Sequence, residues 1–376
     1  MLRSTTYRVS AYSKSLPDSF GPSSDKPATT LRGSKVLDQT EAPRVTLAEI
    51  AVEAGASLST VSKVLNGRAD VSAATRGRVE DLLARHGYRR RHSSVATSGS
   101  LIELVFHELD AAWSMEIIKG VEDVARANGM SVVLTESGSR HAPAADWIDG
   151  VLQRRPFGVV LVFSAIPDQY REVLKARSIP FVIIDPAGDP TPDVPSVGSA
   201  NWAGGLMATR HLIELGHTRI AAITGPDDMM CSHARIDGFR SAMTAAGLTI
   251  DPDWIRFGDF HTAGGRHHGQ DLLDRADRPT AIFAGSDLQA LGVLESMRQL
   301  GLHAPDDVSI VGYDDIPLAT WVSPRLTTVH QPLRRMAEEA TRLVIRMRDP
   351  GVDGVTRLDL ATNLIVREST APPRVA

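Results

Sequence analysis

The stretch that decides the fold class is residues 45–88, VTLAEIAVEAGASLSTVSKVLNGRADVSAATRGRVEDLLARHGY. Thr46, with Glu49 three residues later, predicts a helix N-terminus with a capping box. Gly55 then supplies a tight turn, and Ser57 predicts the cap of a second helix. The apolar residues of the first helix recur with the helical period, at Leu47, Ile50, Ala51 and Ala54.

A third helix is predicted after Ser72, so the unit has three helices. Two short helices joined by a glycine-containing turn form a helix-turn-helix, whose second helix can enter the major groove of DNA. The side chains that this second helix turns outward are Leu58, Ser59, Ser62 and Lys63. From spacing alone, a generic three-helix bundle remains an equally good interpretation.

Charge is distributed unevenly along the chain. Residues 44–92 contain nine lysines and arginines against five acidic residues, whereas the whole chain has a net charge of −4. A basic unit attached to an acidic remainder indicates a polyanionic partner for that unit alone. The plain alternative is a solvated helix face.

Composition is that of an ordinary globular protein, with 42% hydrophobic and 23% charged residues. No apolar run approaches the length of a membrane span, and the first twenty residues lack the apolar core of a signal peptide. The single cysteine, Cys231, cannot form an intrachain disulfide, which agrees with a reducing cytosol. We interpret it as a small buried hydrophobe and expect a cytoplasmic protein.

Composition also suggests how the chain divides. We expect a disordered extension over residues 1–43, rich in Ser, Thr and Pro, and assign it no function. The helix-turn-helix domain follows at 44–88, and the polar, basic segment RRRHSSVATSGS at 89–100 is predicted to be a linker or hinge. A larger body occupies residues 101–370.

In the body, apolar runs of strand length alternate with helical patterns. The runs are LIELVF, MSVVLTE, FGVVLVFS, PFVIIDP, RIAAITG, TAIFAGS and VSIVGYDD, and the helical segments include 115–128, 202–215, 235–246 and 288–300. Strands that are apolar on both faces and separated by helices predict doubly wound parallel sheets. About 270 residues exceed one such sheet, so we expect two α/β lobes, as in periplasmic binding proteins, with a ligand between them.

Residues 45–88, above all STVSKVLN, resemble the N-terminal headpiece of the LacI-type repressor family. The body resembles the same family in ATRHLIELGHTRIAAITGP, ARIDGFRSAM, AIFAGSDLQALGVLESMRQLGLHAPDDVSIVGYDD and SPRLTTVHQP, so the resemblance covers about 325 residues. It implies a regulator that binds a pseudo-palindromic operator as a homodimer, or as a tetramer built from dimers. It also implies release of the operator by a small sugar, and no cofactor.

The resemblance places Leu58, Ser59 and Lys63 at base-reading positions of the second helix. Thr46, Thr60 and Ser62 fall at positions where phosphate contacts are usual, and Ser57, the predicted cap, is also assigned to the DNA-binding residues. For Ser62, a half-buried helix residue is an equally good interpretation. Family members commonly carry arginine at position 63, and lysine lacks its bidentate fork, so guanine recognition is expected to be weaker there.

The linker departs from the family pattern. Family members follow the headpiece with a short helix whose leucine wedges into the minor groove, but here no leucine precedes Leu101. Arg89, Arg90 and Arg91 are still expected to hold phosphates electrostatically. The sequence therefore predicts phosphate contacts from the linker rather than a leucine wedge.

A sugar site needs converging polar groups and an aromatic face. The candidates, at strand ends and helix starts, are Trp113, Asp185, Asn201, Arg235, Phe260, Asp287 and Asp314. The resemblance supports Arg235, Asp287 and Asp314 most directly. Asp287 could instead serve only as a helix cap, and Ser286 stands where the family often has asparagine.

Neither a metal site nor an enzyme is expected. His261, His267 and His268 cluster in sequence, but their spacing fits no standard zinc pattern and favours a solvated helix start. Phosphate-binding, nucleophile-elbow and zinc-protease motifs are absent from the sequence. The alternatives to a regulator are a transport-type sugar-binding protein and an α/β enzyme such as a sugar kinase. Sugar-dependent loss of DNA binding would distinguish a regulator from both.

Overall fold

The computed structural model describes residues 46–65, 71–86, 100–109, 112–138, 145–162, 166–186, 188, 193–349 and 356–374. The predicted extension at 1–43 lies outside the described residues, as do Arg89, Arg90, Arg91 and the linker up to Ser100. The chain divides into two compact units, Met1–Arg91 and His92–Ala376.

The first unit, here called the headpiece, contains three helices: α1 (Leu47–Ala54), α2 (Leu58–Leu65) and α3 (Ala73–Arg85). The predicted capping box is present, since Thr46 N donates to Glu49 Oε2 at 2.6 Å and Glu49 N donates to Thr46 Oγ1 at 3.3 Å. Ser57 and Ser72 cap α2 and α3 as predicted. The apolar faces meet in one core, formed by Ile50, Ala51, Ala54, Val61, Val64, Val79, Leu82 and Leu83.

The second unit, the body, is built from alternating strands and helices. Its strands are β1 (Leu101–Phe106), β2 (Ser131–Glu136), β3 (Gly158–Val162), β4 (Phe181–Ile184), β5 (Ser196–Ser199), β6 (Ile220–Thr224), β7 (Ile255–Phe257), β8 (Ala281–Ala284), β9 (Ser309–Asp314), β10 (Thr327–His330), β11 (Arg357–Leu360) and β12 (Asn363–Ile365). Its α-helices are α4 (Ala112–Ala127), α5 (Ala145–Arg154), α6 (Asp168–Ala176), α7 (Asn201–Glu214), α8 (Met230–Ala245), α9 (Thr262–Leu273), α10 (Asp287–Gln299) and α11 (Leu333–Arg346). Short 3-10 helices lie at Pro252–Trp254 and Pro317–Thr320.

These strands form two six-stranded sheets, which confirms the two predicted α/β lobes. Lobe 1 has the order β11-β5-β4-β3-β1-β2 and lobe 2 the order β12-β10-β9-β8-β6-β7. All described pairings are parallel except that of β10 with β12. Strands such as β3 and β9 are buried along their whole length, which explains their continuous apolar sequence.

The chain passes between the lobes three times. It crosses at Ala200 between β5 and α7, at Gln331–Pro332 between β10 and α11, and at Ala361–Thr362 between β11 and β12. The first and third crossings are in contact, since Ala200 N donates to Leu360 O at 2.9 Å and Thr362 Oγ1 donates to Ala200 O at 3.3 Å. Any change in the arrangement of the lobes must therefore act on these few residues.

Cys231 lies on α8 with only 3% of its surface exposed. Burial raises the pKa of its thiol to about 12, so the residue packs as a neutral, unreactive side chain, as the sequence suggested. Within the described ranges, no helix combines the length and the apolar character that crossing a membrane requires.

Candidate functional site

The outward surface of α2 carries the side chains that the sequence assigned to DNA. Leu58, Ser59 and Lys63 are exposed, and Thr60 and Ser62 are half-buried. Leu58 is notable because 53% of an apolar side chain at the start of the helix faces solvent. The opposite side of α2 packs into the headpiece core, so the helix has one free face and one buried face.

Two of the predicted DNA-binding hydroxyls, those of Thr46 and Ser57, already form hydrogen bonds at helix starts. The Thr46 hydroxyl donates to Glu49 Oε2 at 3.0 Å within the capping box. The Ser57 hydroxyl accepts from Thr60 N at 3.1 Å and lies 2.8 Å from the hydroxyls of both Ser59 and Thr60. The contacts of Ser57 fix the start of α2 and hold its first hydroxyls together on one surface.

In the body, Arg235 on α8 is the centre of a buried polar network. Its guanidinium stacks on Tyr313, with Cζ 3.7 Å from the ring centroid. Its Nε donates to Asn201 Oδ1 at 2.9 Å, and its Nη2 donates to Gln331 Oε1 at 3.3 Å. Its Nη1 donates to the backbone carbonyl of Gly285. Each guanidinium nitrogen therefore has an acceptor, as a buried charge requires.

Asp185, at the end of β4, connects lobe 1 to this network through Gln331. Gln331 Nε2 donates to Asp185 Oδ2 at 2.8 Å and to Ser199 Oγ at 3.0 Å. Asn201 Nδ2 also approaches Asp185 Oδ1, at 3.4 Å. Burial raises the pKa of Asp185 to about 6, and the positive charge of Arg235 limits that rise. The pKa of this carboxyl thus lies about two units above that of an ordinary aspartate.

Asp314 and Asp287 are two further buried carboxylates. Asp314 belongs to the network around Arg235, and Asp287 does not. Burial raises the pKa of Asp314, and the charge of Arg235 opposes this. Burial also raises the pKa of Asp287, and the neighbouring Asp314 raises it further. The oxygens of Asp287 accept from Thr328 Oγ1 at 2.6 Å and from Ile316 N at 2.9 Å. Asp287 thereby braces β10 against the turn after β9.

The interpretation of Asp287 as a helix cap is wrong. Ser286 is the N-cap of α10, because its hydroxyl accepts from Gln289 N at 3.0 Å. The same hydroxyl donates to the carbonyl of Phe260 at 2.7 Å. Serine in place of the family's asparagine is therefore used to fix the backbone that carries Phe260.

The two aromatic candidates lie in different surroundings. The Phe260 ring is 5.2 Å from the guanidinium carbon of Arg235, so it forms one wall of the network. Trp113 instead packs on Phe106, with ring centroids 5.8 Å apart, against an apolar cluster that includes Ile316 of lobe 2. Trp113 therefore lies where the two lobes make apolar contact.

Backbone conformation marks the same region. Six non-glycine residues in the described ranges have positive φ, and four of them lie at or shortly after strand ends near the network: Asp185 (44°), Phe260 (66°), Asp314 (110°) and Asp315 (57°). Such conformations cost free energy and persist where the surrounding structure holds them, often at functional sites. Their grouping supports the location of the site.

Three members of the network were not predicted from the sequence: Gln331, Ser199 and Tyr313. Gln331 and Ser199 lie at or beside crossings between the lobes, and Tyr313 is a fully buried residue of β9. The only signal for Gln331 was a polar residue before proline at a strand-to-helix junction, and Tyr313 could only have been noticed as the neighbour of Asp314. Their roles depend on contacts between lobes.

Comparison with known proteins agrees with this architecture. Residues 46–91 match the model of the lacI family of bacterial regulatory proteins, and residues 209–370 match the periplasmic binding protein-like domain. The transcriptional regulator CelR of Thermobifida fusca is 36% identical over 337 residues, which are 87% of this chain and 98% of CelR.

Two solved structures are similar over most of the chain. A complex of the regulator CelR with cellobiose has 34% identity and a TM-score of 0.65, covering 87% of this chain and all of that one. The lac repressor dimer bound to operator and the anti-inducer ONPF has 26% identity and a TM-score of 0.69, covering 88% of this chain and all of that one.

A helix-turn-helix headpiece and a two-lobed body with a buried polar network define a DNA-binding transcription regulator. The chain belongs to the LacI family of bacterial regulatory proteins. This favours a regulator over the transport-type sugar-binding protein that the body alone also suggested.

Proposed function

We propose that this regulator represses carbohydrate-utilisation genes by binding a pseudo-palindromic operator as a homodimer, and that a small neutral sugar bound between the lobes releases it. The observation that carries the proposal is that Arg235 and Asp185, from different lobes, are joined through Gln331 within a crossing segment. Sugar hydroxyls both donate and accept hydrogen bonds, so they can replace Gln331 and Asn201 as partners of the guanidinium and the carboxylate. A ligand that exchanges these bonds changes which lobe arrangement is favoured.

The class of ligand is supported by the surroundings and by one relative. Asp185, Asp314 and Arg235 are charged groups suited to vicinal diols, and Phe260 supplies an aromatic face. The similar CelR structure is a complex with cellobiose. The first ligands to test are cellobiose, plant-wall pentoses and their short oligomers. Because operator DNA is cytoplasmic, we place the protein there, and we propose no enzymatic activity for it.

The first prediction concerns DNA recognition by α2. At physiological salt the full-length protein should prefer an inverted repeat over scrambled DNA, measured by fluorescence anisotropy. Lys63→Ala should weaken binding to the specific site by about 1–3 kcal/mol, because it removes a base contact in the major groove. Arg85→Ala, an exposed cation at the end of α3, is the matched control and should lose much less. Equal affinity of the wild type for both DNAs would reject the proposal.

The second prediction concerns the homodimer. Trp321, just after the 3-10 helix Pro317–Thr320, is 77% exposed, which is unusual for a large aromatic side chain. We propose that a second copy covers it, since a two-fold operator calls for two-fold protein symmetry. Wild type should sediment as a dimer at micromolar concentration, and Trp321→Glu should weaken the dimer at least about tenfold by placing a charge in the interface. Trp202→Glu, at a 48% exposed tryptophan of α7, should not. A monomeric wild type, or an unaffected Trp321→Glu dimer, contradicts this interface.

The third prediction concerns the switch. Calorimetry should show sugar binding by wild type, and Asp314→Ala should lose about 1–3 kcal/mol of that binding because it removes a buried carboxylate that we assign to the sugar hydroxyls. Asp237→Ala, at an exposed carboxylate on α8, is the control and should bind like wild type. Saturating operator should weaken sugar binding by the same factor by which sugar weakens operator binding. Equal binding by Asp314→Ala would show that the pocket is elsewhere, and a sugar affinity unchanged by operator would show that the sugar is not the switch.

A further inference from the structure

Helix α9 of lobe 2 brings together three side chains that can bind a metal ion. One ligand atom each from His267, His268 and Asp271 lie within 4.8 Å of one another. His267 and Asp271 are one helical turn apart, with Nε2 and Oδ2 separated by 3.8 Å, which is too long for a hydrogen bond. The rings of the two histidines have centroids 5.1 Å apart. Sequence spacing pointed to a solvated helix start because the contribution of Asp271 was not recognised.

His268 is already oriented as a metal ligand. The backbone carbonyl of Phe257 lies beside its ring. Its Nδ1 is buried and has no hydrogen-bond partner in the described part of the chain. We assign the ring proton to Nε2, the nitrogen left to face Phe257. In that tautomer Nδ1 carries a lone pair and no proton. Metal-binding histidines typically have this arrangement, with the second nitrogen donating to a carbonyl or carboxylate that fixes the ring.

A buried acceptor without a partner is costly, and a bound ion would remove that cost. The other two side chains are exposed and able to adjust, with 71% of His267 and 50% of Asp271 accessible. Small rotations of these two would bring their ligand atoms to the distances of about 2.0–2.2 Å that imidazole and carboxylate ligands take around zinc.

We propose that His267, Asp271 and Nδ1 of His268 form a site for a divalent transition-metal ion of the zinc class, with water completing a tetrahedral shell. Two imidazoles and one carboxylate favour such ions over magnesium or calcium, which prefer oxygen ligands. Neither operator nor sugar takes part in this site.

The site has a structural connection to the segment before α9. The His268 ring approaches Gly258, with its Cδ2 only 3.3 Å from where a Cβ on that glycine would lie. Gly258 in turn is held by Thr224 O at 2.9 Å and leads directly to Phe260. An ion that fixes His268 therefore orders residues 257–260 through the Phe257 carbonyl and the backbone packed on the ring.

The test is calorimetric titration of the full-length protein with zinc chloride, followed by cobalt titration monitored by visible absorption. His267→Ala, His268→Gln and Asp271→Asn should each weaken binding of the tightest ion at least about tenfold. The matched control is His303→Ala, because His303 and Asp307 form a similar pair, with Nδ1 and Oδ2 3.7 Å apart, but without a second adjacent histidine. This control should bind zinc like wild type.

Hydrogen exchange with and without zinc locates the ion independently of the variants. Added protection should appear in α9 and residues 257–260 of wild type and be absent in His267→Ala, whose exposed side chain can be removed without disturbing the core. Zinc affinity that is the same in wild type and His267→Ala overturns the proposal. So does protection confined to segments away from α9, or an equal loss in His303→Ala.

Discussion

Replacing Arg235 with methionine should lower the free energy of unfolding of the body by about 3–5 kcal/mol, measured by urea denaturation at pH 7.5. Methionine fills part of the arginine volume but offers no donor. The substitution leaves Asn201 Oδ1, Gln331 Oε1 and the Gly285 carbonyl without their donor. It also removes the positive charge that opposes the raised pKa values of Asp185 and Asp314.

The pH dependence of this loss identifies its cause. Without Arg235, the pKa of Asp185 should rise further above its usual value, so the variant should lose more stability as pH increases from 5 to 8. Arg240→Met is the control, because Arg240 lies on the same helix, is 47% exposed and forms a surface ion pair with Asp237. A loss of stability for Arg235→Met no larger than that for Arg240→Met would mean that the network contributes little.

The free energy of unfolding of Asp185→Asn, relative to that of wild type, should increase by about 3 kcal/mol as pH rises from 4 to 7. Burial raises the pKa of Asp185 from 3.8 to about 6, so folded wild type binds more protons than the unfolded chain between these values. The contribution of Asp185 to the free energy of unfolding of wild type is therefore most favourable below pH 4, and it is lost as pH rises through 6. A difference of about two pKa units corresponds to about 3 kcal/mol. Asparagine does not titrate and lacks this loss.

The quantity to measure is the difference between variant and wild type at each pH, because other groups titrate equally in both proteins. Asparagine also disturbs the hydrogen bonds of Gln331 and Asn201, but that cost is constant with pH. Asp237→Asn, at an exposed carboxylate of α8, should show no comparable gain. A flat difference between Asp185→Asn and wild type from pH 4 to 7 would show that the carboxyl is not destabilised by burial.

Local sequence signals located seven strands of the body but not β5, β7, β10, β11 and β12. Apolar runs of five or six residues predicted β1, β3 and β9, because strands covered on both faces need apolar side chains throughout. β5 consists of Ser196–Ser199, sequence SVGS, and is fully buried although only one of its residues is a large hydrophobe. It pairs with β4 and with β11, which returns from far along the chain, and no local pattern records that pairing.

The residues of the candidate site also divide into those that the local sequence predicted and those that it did not. Asp185 and Asn201 were predicted because polar residues at strand ends and helix starts in parallel α/β folds face a common edge, and Arg235 and Asp314 were supported mainly by the family resemblance. The prediction that Arg235 begins a helix is wrong, because α8 begins at Met230 and Arg235 lies inside it. Gln331 was not predicted, because its contact with Asp185 spans 146 residues and forms only when the lobes meet. The position of Asp287 in the chain suggested a ligand contact or a helix cap. In the folded protein, its carboxylate accepts hydrogen bonds from Thr328 and Ile316.

The sequence by itself determined the three capped helices of the headpiece and the alternation of buried strands and helices in the body. Hydrogen bonds three or four residues apart and the period of the apolar side chains are sufficient for these features. Only the tertiary structure decided which polar side chains are partners, such as Arg235 with Gln331 and Asp185 with Gln331. Partners of buried polar groups are set by where the folded chain places each donor and acceptor, and a one-dimensional pattern does not contain those distances.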